Sequence, residues 1–180
     1  PIHSSAASDV YKRQENTDCD ITRSQTFSEI QNLILRSVLE SGDIFIIKRT
    51  VSRSNKLIDL SLQLVEADRV SNPQAQGFDY KTNTEKLIAG VEVDNNGGPV
   101  AYHICNQHPD DYQSEKSKKY VKIPAFDKYD NRQVFHIFNR IRPGLTRGIP
   151  YLAPVIESLK QLDRYTEAEI MSAVISAMFT

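Results

Sequence analysis

RPGLTRGIPYLAPVIESLKQLDRY, residues Arg142–Tyr165, sets two prolines and two glycines in its first nine residues and then places Pro154 at the head of a helical pattern. A proline deep inside a helix costs ~3 kcal/mol or more, because it lacks an N–H and crowds the preceding turn. In the first turn that N–H has no partner to lose, so Pro154 marks a helix start. With Tyr151 as the expected N-cap, Pro154 takes the third helical position, and Gly148 and Pro150 fix the incoming chain. Beyond it, Leu152, Val155, Ile156, Leu159, Leu162, Thr166, Ile170, Ala173, Val174 and Ala177 follow helical spacing, while Glu157, Lys160, Arg164 and Glu167 turn away.

This predicts a long amphipathic helix over 151–180, about 28 residues or ~42 Å. Burying ten apolar side chains returns ~15 to 30 kcal/mol, and ordering each residue costs ~1 to 2 kcal/mol, so the helix needs a surface to lie against. The chain stops at Met178-Phe179-Thr180 with no stop signal, and the helix is expected to continue in a longer protein.

Upstream, the order of elements is that of an α+β protein. Thr26 and Glu29 form a capping box, Phe27, Ile30, Ile34 and Val38 form a stripe, and Gly42 supplies a stop, predicting a helix over 27–41. Ile44–Thr50 is apolar enough for a strand partly buried on both faces. The next strand alternates, with Ile58, Leu60, Leu62 and Leu64 expected inward and Asp59, Ser61 and Gln63 outward. In LIAGVEVDNNGGPVAYHIC, Asn95-Asn96-Gly97-Gly98 offers the positive-φ residues of a hairpin, and the flanking runs are expected to pair across it. YVKIPAF and VFHIF predict two more short strands before the elbow. The expected whole is a mixed or antiparallel β-rich body over 15–150, flanked by an N-terminal helix and the long C-terminal one. Residues 4–14, SSAASDVYKRQ, read as one frame of a transposase-type sequencing adapter. Residues 1–14 are therefore expected to be an artefactual tail, the alternative being a natural Ser/Ala-rich one.

The chain has 180 residues, 39% hydrophobic and 25% charged, with a formal net charge of −1 and two cysteines, Cys19 and Cys105. This is globular composition without the broad basic surface of a phosphate-gripping protein and without a disulfide framework. No apolar run is long enough to span a membrane.

Catalytic motifs are missing: no glycine-rich phosphate loop, no G-x-S-x-G turn and no zinc-spaced cysteine pairs. His103 and Cys105 share a strand face with His108 just beyond, and His136 is a fourth possible donor to tetrahedral zinc; the spacing matches no usual metal motif. Asp68, Asp94, Asp110 and Asp111 sit where turns favour aspartate. Arg140, Arg142 and Arg147 are denser, since guanidinium grips carboxylate or phosphate in pairs of hydrogen bonds. They suit loop solvation, subunit contact or phosphate contact.

From Cys19 onward the chain resembles the lambda-type family of bacteriophage portal proteins. LESGD (39–43), EADRV (66–70), AGVEVD (89–94), VAYHI (100–104), His108-Pro109, Pro124-Ala125, Val134–Phe138 and above all RPG-x-TRGIPYLAPVI appear in the order that family shows them. The resemblance implies a structural subunit of a homo-oligomeric ring, commonly of twelve. Double-stranded DNA is packaged and ejected through that ring without sequence specificity, and terminase, capsid and tail-connector proteins are partners. It implies a virion protein assembled in the bacterial cytoplasm, with no cofactor and no catalytic residue. Residues 15–150 resemble the wing, and 151–180 the helix leading to the stem. Within that frame Arg142, Pro143, Gly144, Arg147, Gly148, Pro150 and Pro154 are the expected elbow and subunit contact. Two rivals are a metal-dependent enzyme built on His103, Cys105 and His108, and a monomeric β-rich binding module.

Overall fold

A computed structural model describes residues 15–53, 59–73, 86–111 and 118–179; the tail reading of 1–14 and the expected placement of Ile58 lie outside them. Helix α1 (Phe27–Ser41) starts at the predicted capping box. Thr26 N donates to Glu29 Oε2 at 2.7 Å, and Glu29 N donates to Thr26 Oγ1 at 3.4 Å. It ends at Gly42, whose φ of 92° is open to glycine and strained for other residues.

Seven strands follow among the described residues: β1 (Asp43–Thr50), β2 (Leu60–Glu66), β3 (Lys86–Ile88), β4 (Val91–Val93), β5 (Pro99–Cys105), β6 (Tyr120–Pro124) and β7 (Val134–Phe138). They form two antiparallel sheets, β2-β1-β7 and β3-β4-β5-β6. Phe45, Ile47, Val65, Val70, Val91, Tyr102, Ile104 and Val134 make one buried cluster where the sheets meet. β1 is buried on both faces as its composition predicts: Phe45 and Ile47 enter that cluster, and Ile44 and Ile46 occupy the opposite face, left to α1.

Two strand expectations change. On β2 the inward face is Ser61 and Val65, and Leu60 is exposed. Alternation fixes which residues share a face, while the choice of core face follows from register, and Val65 lies opposite Phe45. Ser61 is covered instead by the N-terminal segment, where Ile21 N bonds Leu62 O at 3.0 Å and Asp20 bridges Leu62. LIAGVEVD, the run expected to pair across the Asn95–Gly98 turn, is itself a hairpin. Ala89 (φ 46°) and Gly90 (φ 82°) form a two-residue turn between β3 and β4, with Ile88 opposite Val91. The predicted turn at 94–98 joins β4 to β5, with Asp94 Oδ1 accepting from Asn96 N and Gly98 N.

Pro154 lies in a 3-10 turn, Ala153–Val155, whose N-cap is Leu152 rather than Tyr151. Helix α2 (Ile156–Met178) continues from it. Every residue from Tyr151 to Phe179 is exposed, the whole predicted apolar stripe included. No helix among the described residues is long and apolar enough to cross a membrane.

Candidate functional site

The elbow is organised by a carboxylate that heads a buried strand. Asp43 follows Gly42 directly and is 1% exposed. A carboxylate is expensive to bury unless its lone pairs are filled. Four donors fill them: Arg147 Nε at 2.5 Å and Gly148 N at 3.1 Å on Oδ2, His136 Nε2 at 3.0 Å on Oδ2, and Arg147 Nη2 at 3.1 Å on Oδ1. Burial pushes the Asp43 pKa up, and the hydrogen bonds from His136 and Arg147, the guanidinium charge and the Gly148 amide outweigh it, bringing it down to about 2.

Arg147 spends all of its donors. Besides Asp43, Nη1 donates to Val70 O (2.8 Å) and Ala89 O (2.6 Å), and Nη2 to Ala67 O (2.9 Å). Guanidinium has five N–H groups in a fixed fork, and here each has an acceptor. Its carbon also lies 5.1 Å from the Phe45 ring centre. One side chain thus ties the elbow to the head of β1, to the turn after β2 and to the β3–β4 hairpin. Both sheets are held to the loop that launches α2.

Backbone contact makes the second half of the elbow. A Cβ on Gly148 would stand 2.0 Å from Gly42 O, and one on Gly42 would stand 2.6 Å from Ile149 C. The elbow crosses the end of α1 with no room for a side chain on either partner. Gly144, by contrast, has nothing within 4 Å of such a Cβ. Pro143 and Gly144 are exposed, Pro150 accepts a hydrogen bond from Ala153 N at 3.2 Å, and the exposed Arg142 guanidinium has no ion pair among the described residues. Arg140 lies 5.5 Å from the Phe138 ring centre.

His136 stacks on Phe45 at 4.2 Å and lies 4.4 Å from Phe138. Burial lowers its pKa, the Asp43 hydrogen bond raises it, and the Arg147 and Arg140 charges lower it, for a net depression. With Asp43 ionised, His136 carries its proton on Nε2 and donates.

The rival metal set does not come together. His103 is buried against Glu92 (2.6 Å), and Cys105 Sγ faces Asn106 Oδ1 at 3.7 Å. His108 sits among Glu66, Asp68 and Asp110 at 3.7–3.8 Å, while His136 is committed to Asp43. Among the described residues no group of three or more His, Cys, Asp or Glu is placed to hold an ion. Sequence reasoning missed Asp43. Its signal was a charged residue, directly after a helix-stopping glycine, opening the apolar run IFII.

A model of the phage portal protein, lambda family, matches residues 5–180, starting inside the segment read above as an adapter translation. The chain belongs to the lambda family of phage portal proteins. It is similar to portal protein B of Escherichia phage lambda, 24% identical over 173 residues, covering 94% of this chain and 31% of that protein. Against the portal protein of Escherichia phage N15 it is 25% identical over 174 residues, covering 97% and 31%. Against a probable portal protein of Halomonas phage phiHAP-1 it is 24% identical over 170 residues, covering 94% and 31%. The chain therefore spans about a third of the length of these curated relatives.

Proposed function

We propose that this chain is the wing segment of a portal subunit, a structural component of the ring through which double-stranded DNA enters and leaves a phage capsid. The observation that carries the reading is α2. Its apolar residues, from Leu159 through Val174, are exposed along the whole helix, in a chain whose family membership spans residues 5–180. An apolar face of this extent on a helix with no packing partner among the described residues marks an interaction surface. In the proposed ring, commonly of twelve subunits, neighbouring copies and the stem cover it.

The Asp43–Arg147 clamp and the Gly42–Gly148 crossing fix the angle at which α2 leaves the body. Arg142, exposed beside them, meets a carboxylate of the adjacent subunit. The near-neutral charge, −1, suits a conduit, because every added phosphate contact would raise salt-sensitive affinity and hold sliding DNA. Capsid, terminase and tail-connector proteins are the proposed partners of the whole assembly, and the virion is its location.

Electron microscopy and native mass of the full-length protein carrying this segment test the reading. Closed rings are expected, and a stable monomer under assembly conditions refutes it.

A further inference from the structure

Where the two sheets diverge next to the elbow lies a cavity of ≈ 140 Å³, lined among others by Tyr102, Arg132, His136, Phe138, Arg140 and Thr146. Its chemistry is unbalanced. Tyr102 is 0% exposed, and its hydroxyl has no hydrogen-bonding partner among the described residues. A buried phenol normally finds one, and leaving it unmade costs ~1–3 kcal/mol. Around it the wall supplies donors. Arg132 and Arg140 each rest a guanidinium against an aromatic ring, Phe126 at 4.9 Å and Phe138 at 5.5 Å, and neither forms an ion pair among the described residues. Thr146 also lines the wall. Asp43, the carboxylate adjacent to this wall, already has its oxygens filled by Arg147, His136 and Gly148.

We infer that this cavity is a binding site for a single oxyanion group, a carboxylate or a phosphate, which accepts from the Tyr102 hydroxyl and is held by Arg132 and Arg140 at the mouth. The volume suits one such group: water takes about 30 Å³ in the liquid, so the space equals a few waters, too little for a nucleotide. Two cations facing one anion with a neutral phenolic donor behind them is the arrangement that planar guanidinium groups use for carboxylate and phosphate. Burial raises the phenol pKa, partly offset by the Arg132 charge, which keeps Tyr102 a donor rather than an anion at neutral pH.

The test titrates inorganic phosphate, and separately acetate, against this chain at constant ionic strength made up with chloride, reading the thermal midpoint. Arg132→Gln/Arg140→Gln and Tyr102→Phe variants are run alongside. Phosphate stabilises many proteins without binding, so the variants decide. A saturable rise whose midpoint weakens about tenfold or more in the double variant is expected, with a smaller weakening in Tyr102→Phe. Sedimentation in the same series assigns the source. Self-association that phosphate disperses means that the site takes an acidic side chain of a second copy, and an unchanged mass means a free ion. An equal response from wild type and double variant, or none to either anion, overturns the inference.

Discussion

Arg147→Ala isolates what holds the elbow. The substitution removes five hydrogen bonds at once. It leaves the Asp43 carboxylate inside the protein with two of its four donors, His136 and Gly148, and strips a donor from the carbonyls of Ala67, Val70 and Ala89. Breaking one partner of a buried ion pair costs ~3–5 kcal/mol. Arg147 keeps a fifth of its side chain exposed, which puts the expected loss toward the lower end, about 3 kcal/mol, still a large share of the ~5–15 kcal/mol of a typical domain. Arg147→Lys keeps the charge but presents one point of donors that cannot span carboxylate and three carbonyls, and about 2 kcal/mol is expected. Urea unfolding followed by circular dichroism measures each value. Adding Asp43→Asn closes a double-mutant cycle with an expected coupling of ~1–3 kcal/mol. An Arg147→Ala loss below ~1 kcal/mol, or strictly additive costs in the cycle, refutes the clamp.

Gly148→Ala drives a Cβ into Gly42 O and is expected to cost ~2 kcal/mol or more, whereas Gly144→Ala, with open space, stays within ~0.5 kcal/mol; equal urea midpoints for the two would remove the crossing from the account. Stability falls on acidification in two windows. His136, whose folded pKa lies below its ordinary 6.5, withdraws its contribution as pH drops below about 6.5, since the unfolded chain then binds the proton more readily. Asp43, held at about 2 against 3.8, contributes ~2 kcal/mol that is complete above about pH 4 and lost as pH falls through about 2. Unfolding midpoints across pH 2–8 should show both windows, and in His136→Gln the upper one should flatten; a persisting upper slope contradicts its assignment. Leu159→Glu with Ile170→Glu should change the unfolding free energy of this chain by less than ~0.5 kcal/mol, both side chains being exposed. In the full-length protein the same pair should abolish rings, and intact rings under electron microscopy would deny α2 its proposed contact.

Much of this was legible in order along the chain. The capping box at Thr26 and Glu29, the stop at Gly42, the doubly buried β1 and the apolar stripe of α2 are local patterns, written by propensity and period, and the elbow motif with its flanking runs carried the family. Local pattern falls short where a choice depends on what lies across the gap. Leu60 and Ser61 alternate equally well in either orientation, and only the pairing of Val65 with Phe45 and the cover given by residues 17–21 turned Ser61 inward. Gly148 and Gly144 are alike in sequence, and contact with Gly42 distinguishes them.

The sequence by itself determined most of the elements, where α1 begins, and which family the chain resembles, because helix caps, periodicity and turn residues act within a few positions of one another. Tertiary structure alone decided that Asp43, His136 and Arg147 share one site. Those residues are separated by up to 104 positions, and a buried carboxylate must collect its donors wherever the fold brings them, from β7 and the elbow loop to the head of β1. It also decided that the histidines and cysteine suggestive of a metal lie apart, since strand register and burial, rather than spacing along the chain, set which side chains meet.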